Sequence, residues 1–173
     1  MKKMKSLIAL LLAACLLVSC GAKAEITIPA SLSKSMASMD VGTKDVKYES
    51  MTKNSDGSIT YEITVEEQEE ILNKIREAFE KAMPEMQKDP IKRIDYNSGF
   101  TNFKITTAST SLTLVESLMT LVFYIYGMVY SIYDGKPDAQ IVIEYVNEKS
   151  GDVLKRFDSD ELKKQFEEKY SKQ

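Results

Sequence analysis

Three times along this chain a run of alternating apolar and polar residues, a short turn and a second alternating run lead into a segment with helical spacing. That order constrains the fold more than any other feature. The first hairpin spans 46–64. Ile59, Tyr61 and Ile63 alternate with Thr60 and Glu62, the period-two pattern of a half-buried strand. Asn54-Ser55-Asp56-Gly57 separates its strands, and Asp-Gly is a strong hairpin signal. The second hairpin spans 91–107 around Asn97-Ser98-Gly99, with Ile94 and Tyr96 facing Phe103 and Ile105. The third spans 140–158, with Ile141, Ile143 and Tyr145 on one face and a turn at 148–152.

A helix follows each hairpin. Thr64-Val65-Glu66-Glu67 has the form of a capping box. Ile71, Leu72, Ile75, Ala78, Phe79, Ala82 and Met83 then fall on one stripe, and Pro84 is expected to end or kink the helix. The third helix is expected from Ser159 to about Tyr170, burying Leu162 and Phe166. The implied class is α+β: a mostly antiparallel sheet of about six strands with three helices on one face, in keeping with a threefold β-β-α repeat of units 46–88, 91–133 and 140–173. Residues 25–173 read as a single domain. Glu25–Pro29 adds an edge strand, and 33–45 reads as a loop. The uncovered sheet face is expected to show Lys47, Glu49, Thr60, Glu62, Arg93, Asp95, Asn102, Lys104, Glu144 and Arg156.

The middle helical segment is unusual. After Glu116, the 17 residues Ser117–Tyr133 carry no charge. That length is at the lower limit for crossing a bilayer. Its four tyrosines are spread along the segment rather than gathered into two interfacial belts, and no positive excess follows it. The favoured reading is a core helix lying on the sheet. A variant of that reading leaves part of it exposed, with Tyr124, Tyr126, Tyr130 and Tyr133 as candidate partner contacts. Glu116 is either a buried carboxylate with a raised pKa or, as favoured, a water-facing residue in the first helical turn.

Chemistry-bearing motifs are few. The chain has no histidine or tryptophan and two cysteines, Cys15 and Cys20. Without His or a spare thiol, the usual zinc, copper and haem ligands and the commonest general base are missing. Ser31-Leu32-Ser33-Lys34 matches S-x-x-K, but no partner motif accompanies it. Asn54–Ser58 lacks the spaced carboxylates and closing Glu of a calcium loop. No enzyme, no metal and no cofactor is expected.

The first twenty residues indicate an address. Lys2, Lys3 and Lys5 precede an apolar run from Ser6 to Val18, as in a secretory signal. Leu17-Val18-Ser19-Cys20 matches the lipobox of bacterial lipoproteins. Residues 1–19 are then the signal peptide, Cys20 carries the lipid, and 20–24 form a short tether. Together with Ile26-Thr27-Ile28-Pro29-Ala30 and Asp56-Gly57-Ser58-Ile59-Thr60-Tyr61, the chain resembles small, uncharacterised lipoproteins of low-GC Gram-positive bacteria. The resemblance implies a diacylglyceryl thioether on Cys20 and a place on the outer face of the cytoplasmic membrane. In a Gram-negative source, Gly21 favours the outer membrane.

Removing the signal leaves 154 residues with 20 basic and 26 acidic side chains, a net charge of −6. That size supports one core without a metal or disulfide. The charge argues against nucleic acid and against electrostatic docking on anionic lipid. The expected partners are the membrane, through the acyl group, and an unknown protein or peptide. The function expected is a non-catalytic binding or interaction module. The alternatives are sequestration of membrane-active peptides and an accessory role in a membrane complex.

Overall fold

The strands form where the alternation places them. The computed structural model describes residues 22–30, 32, 48–162 and 164. The signal segment, Cys20, the Ser31/Lys34 motif, Lys47, the 33–45 segment and most of the third helix lie outside them. In chain order come β1 (Lys23–Ile28), β2 (Ser50–Lys53), β3 (Ile59–Thr64), α1 (Val65–Met86), β4 (Ile91–Tyr96), β5 (Asn102–Thr107), α2 (Leu114–Tyr133), β6 (Val142–Asn147) and β7 (Val153–Asp158). Residues 159–162 are helical, opening the third hairpin-helix unit. The fold is α+β.

The second hairpin pairs as its pattern demands, with Ile94 opposite Ile105 and Tyr96 opposite Phe103. The first turn closes through Asp56, whose Oδ1 accepts from the backbone N–H of Ser58 at 2.9 Å, while Gly57 takes φ +84°. In the second turn the left-handed residue is Phe100, at φ +54°, rather than a glycine. That conformation turns its ring into the core, where it stacks on Tyr130 at 4.8 Å.

The strands do not form a single sheet of six. Among the described residues there are two sheets, a three-stranded one in the order β1-β3-β2 and a four-stranded one in the order β4-β5-β6-β7. All pairings are antiparallel except β5 with β6. That exception shows how consecutive units join: the second strand of one hairpin pairs in parallel with the first strand of the next. The same rule would put β4 on the free edge of β3. β1 occupies that edge instead, running antiparallel to β3 from Lys23 opposite Thr64 to Ile28 opposite Ile59. It buries Ile26 and Ile28 there, and the continuous sheet is interrupted.

α1 opens with the expected capping box. Thr64 accepts from the N–H of Glu67, and the Glu67 carboxylate accepts from the N–H of Thr64. It buries Ile71, Ile75, Phe79 and Met86, and ends two residues after Pro84. α1 and α2 run antiparallel: the Gln68 amide donates to the Tyr133 carbonyl at 2.7 Å, Arg76 reaches the Tyr130 hydroxyl at 2.9 Å, and Phe79 meets Tyr126 and Phe123. α2 is long and apolar enough to cross a membrane, and it is mostly buried against the two sheets. Gly127 lets it approach the β4–β5 turn closely. A Cβ at that position would lie 2.5 Å from the Phe100 carbonyl oxygen.

Candidate functional site

The four tyrosines considered as partner contacts are inside the protein. Tyr124, Tyr126, Tyr130 and Tyr133 are each at most 8% exposed. Their hydroxyls and rings join elements: Tyr133 bonds Tyr48 at 3.0 Å, and Tyr130 receives Arg76. Burial raises the Tyr133 phenol well above its ordinary value, and the Tyr48 hydroxyl adds to the effect. This corrects the reading of the tyrosines as an exposed face. An apolar helix that bridges two sheets needs large side chains with one polar end to reach neighbouring polar groups.

Glu116 also departs from expectation. It lies in the first turn of α2, as expected, but it is fully buried. It closes a second capping box that the sequence reading missed. Thr113 accepts from the Glu116 N–H, and one carboxylate oxygen accepts from the Thr113 N–H at 2.8 Å. The other oxygen accepts from the Thr107 hydroxyl at the end of β5. Burial alone would raise the pKa. The hydrogen bonds from Thr107, Thr113 and Ser109 outweigh it, and the carboxyl is held below its ordinary range. Below it, the Tyr145 hydroxyl donates to the Glu116 carbonyl at 2.7 Å. The group is tied into structure by Thr107, Thr113 and Tyr145. The signal for it was present, since Thr113-Leu114-Val115-Glu116 has the same T-x-x-E form as Thr64–Glu67.

The polar sheet face falls where the sequence puts it. Arg93, Asp95, Asn102, Lys104 and Arg156 are exposed and Glu144 is half-buried, while Ile94, Phe103, Ile105, Ile143, Tyr145 and Phe157 point inward. The strand register then adds something periodicity could not give. Asp95 stands opposite Lys104, Lys104 opposite Glu144, and Glu144 opposite Arg156. One row of side chains with alternating charge therefore crosses all four strands. Asp95 is engaged by Arg93 at 2.8 Å, and Glu144 by Arg156 at 3.6 Å. Lys104 makes no ion pair or hydrogen bond among the described residues. The row lies in an open concavity of about 420 Å³ whose walls also include Tyr96, Asn97, Asn102 and Val142.

A second row of charge crosses the smaller sheet. Lys23 on β1 bridges Glu62 on β3 at 2.6 Å and Glu49 at 3.0 Å. The hydrogen bond to Glu62 leads the causes that raise the Lys23 pKa, and the same pair lowers that of Glu62. These side chains are mutually satisfied. Among the described residues, no group of three or more His, Cys, Asp or Glu could hold a metal ion.

The geometry describes an α+β module with a mixed-charge concave sheet face and a buried core helix. Comparisons with protein-family models, curated proteins and solved structures gave no match.

Proposed function

We propose that this chain is a non-catalytic binding or interaction module, held at the extracytoplasmic face of the cell membrane by lipid on Cys20. Its ligand is taken on the outer face of the β4–β7 sheet. The observation that carries this reading is the row Asp95-Lys104-Glu144-Arg156, in which Lys104 has no ion pair or hydrogen bond among the described residues, in a concavity of about 420 Å³. Ordinary solvated sheets pair opposite charges across strands. Here Asp95, Glu144 and Arg156 are each engaged, and among the described residues the Lys104 ammonium is left for an incoming group. Such a surface suits a protein or peptide segment that presents an acidic group between polar ones.

Two measurements test the reading. Metabolic labelling with a fatty-acid analogue should mark the wild-type chain and leave Cys20→Ser unmarked. Equal labelling or identical retention of the two would remove the anchor. For the face, cells lacking the gene are complemented with Lys104→Glu, in which the open cation becomes an anion. If this variant folds, reaches the membrane and restores every phenotype of the deletion, including sensitivity to membrane-active peptides, the sheet face is not the binding surface.

A further inference from the structure

The first turn of α2 is exposed in a way the rest of that helix is not. Leu114, Val115 and Leu118 are 77%, 61% and 50% exposed, while the same helix buries most of its remaining length. They form a contiguous aliphatic tip. Around them, Ala108, Thr110, Ser111, Thr113 and Ser117 are exposed and uncharged. From Thr106 to Tyr133 the one acidic or basic side chain is Glu116, and it is fully buried. The charges that the hydrogen-bond pattern brings to this end are at the base of the loop. The Glu148 N–H donates to the Thr107 carbonyl, Asp89 precedes Pro90, whose carbonyl receives Ala108, and Lys92 pairs with Asp89 beside Glu148.

We propose that this tip is a membrane contact that inserts into the bilayer interface and orients the domain. The inference rests on the lipid anchor proposed above. Three properties of the tip favour lipid over a protein partner. Its side chains are aliphatic, whereas protein hot spots are rich in Trp, Tyr and Arg and poor in Leu and Val. No exposed charge lies within the segment to be drawn out of water. The capping box also satisfies two of the backbone donors at the helix start, which would otherwise resist entry into a less polar medium.

Ala22, the first described residue, and the tip are at opposite ends of the helical layer. Ala22, two residues after Cys20, accepts from the Val65 N–H at the start of α1, and the start of α1 meets the end of α2. The 20 residues of α2 then place the tip roughly 30 Å away. Three aliphatic side chains are too few to hold a free domain at a bilayer. For a domain already tethered, the high local concentration makes a weak second contact effective. Two contacts this far apart lay the helical layer along the surface.

The absence of tryptophan makes the test clean. The mature chain, residues 20–173, is coupled through the Cys20 thiol to a maleimide lipid in phosphatidylcholine vesicles. It carries one reporter at a time: Val115→Trp or Leu114→Trp in the tip, and Val153→Trp on β7 as the control. The tip reporters should shift to the blue and be quenched roughly twofold or more by brominated lipid, with little change in high salt, while the control stays water-like. A water-like tip reporter in the tethered chain overturns the proposal and leaves the patch to a protein partner. A blue shift without vesicles also overturns it, because a second copy then covers the tip. Chemical coupling does not depend on lipidation in the cell, so this result and the labelling result can fail separately.

Discussion

Gly127→Ala places a single methyl group where the fold has no room for it. The new Cβ would stand 2.5 Å from the Phe100 carbonyl oxygen and 3.1 Å from Ile141 Cδ1. The isoleucine end can rotate aside. The carbonyl cannot, because it belongs to a turn pinned by Asn97: the Thr101 and Asn102 N–H groups both donate to the Asn97 side chain, at 2.9 and 3.0 Å. Relief must come from α2 moving outward, which loosens the Phe100–Tyr130 stack and the Phe79–Tyr126 contact. Overpacking of this kind costs about 1–3 kcal/mol, and a backbone atom as the obstacle puts this case at about 3. Alanine returns about 1 kcal/mol through its better helix propensity. The net of about 2 kcal/mol lowers Tm by about 4–8 °C for a chain of this size. Thermal and urea unfolding followed by circular dichroism measures it, with Gly99→Ala as the reference, since nothing lies within 4 Å of its Cβ position. The reasoning fails if Gly127→Ala unfolds at or above the wild-type midpoint, or if Gly99→Ala falls by as much.

Glu116→Gln tests the buried carboxylate. Because its folded pKa is depressed, Glu116 contributes fully above the unfolded value near 4.3, and that contribution fades as pH falls through the folded value. The variant should lose about 1–3 kcal/mol at pH 7 and show a flatter acid limb below about pH 4. Parallel acid limbs would dismiss the charge as a factor. Thr113→Ala should cost about 1 kcal/mol in urea unfolding. Combined with Glu116→Ala it should fall short of additivity, because both substitutions break the same capping box. Phe100→Ala should cost about 3–5 kcal/mol as its buried ring is removed. Phe100→Gly should be more stable than Phe100→Ala by about 1 kcal/mol, since glycine accepts the left-handed φ without strain. A glycine variant weaker than the alanine one would mean that φ is not what matters there.

Much of the fold was legible because its signals are local. Period-two alternation placed β3 and β6, the T-x-x-E at Thr64 placed the start of α1, and the register of the second hairpin followed from its turn. The division into two sheets was not legible. A lone strand such as β1 shows by its alternation which face is buried, through Ile26 and Ile28, but not which edge it joins. That depends on the competition between β1 and β4 for β3, a long-range choice. The tyrosines were ambiguous for a similar reason: the same side chain serves a core edge and an interface, and only the position of neighbouring elements decides. For the polar face, the residues were readable and their alignment was not. Lys104 and Glu144 are neighbours because β5 and β6 run parallel, which follows from the path of α2 between them.

The three units share one device at the strand-to-helix junction. Thr64, Thr113 and Asp158 each accept from backbone N–H groups at the start of the following helix, and each has Glu three residues later. In the first and third units the capping residue is also the last strand residue. In the second, six residues separate β5 from α2. That insertion carries the helix start clear of the sheet, exposing Leu114, Val115 and Leu118, and Glu116 ties it back to Thr107. The one unit that departs from the pattern therefore produces the aliphatic tip. Its own strand β5 presents Lys104 on the opposite side of the layer. The sheet face and the tip are thus separated by the whole core, and both can be occupied at once. Substitutions at Lys104 and Leu118 should act independently on ligand capture and lipid contact. Strong coupling between them would mean that the core transmits between the faces, through contacts such as the Thr107–Glu116 link, the Tyr145–Glu116 hydrogen bond and the Phe103–Phe123 ring contact.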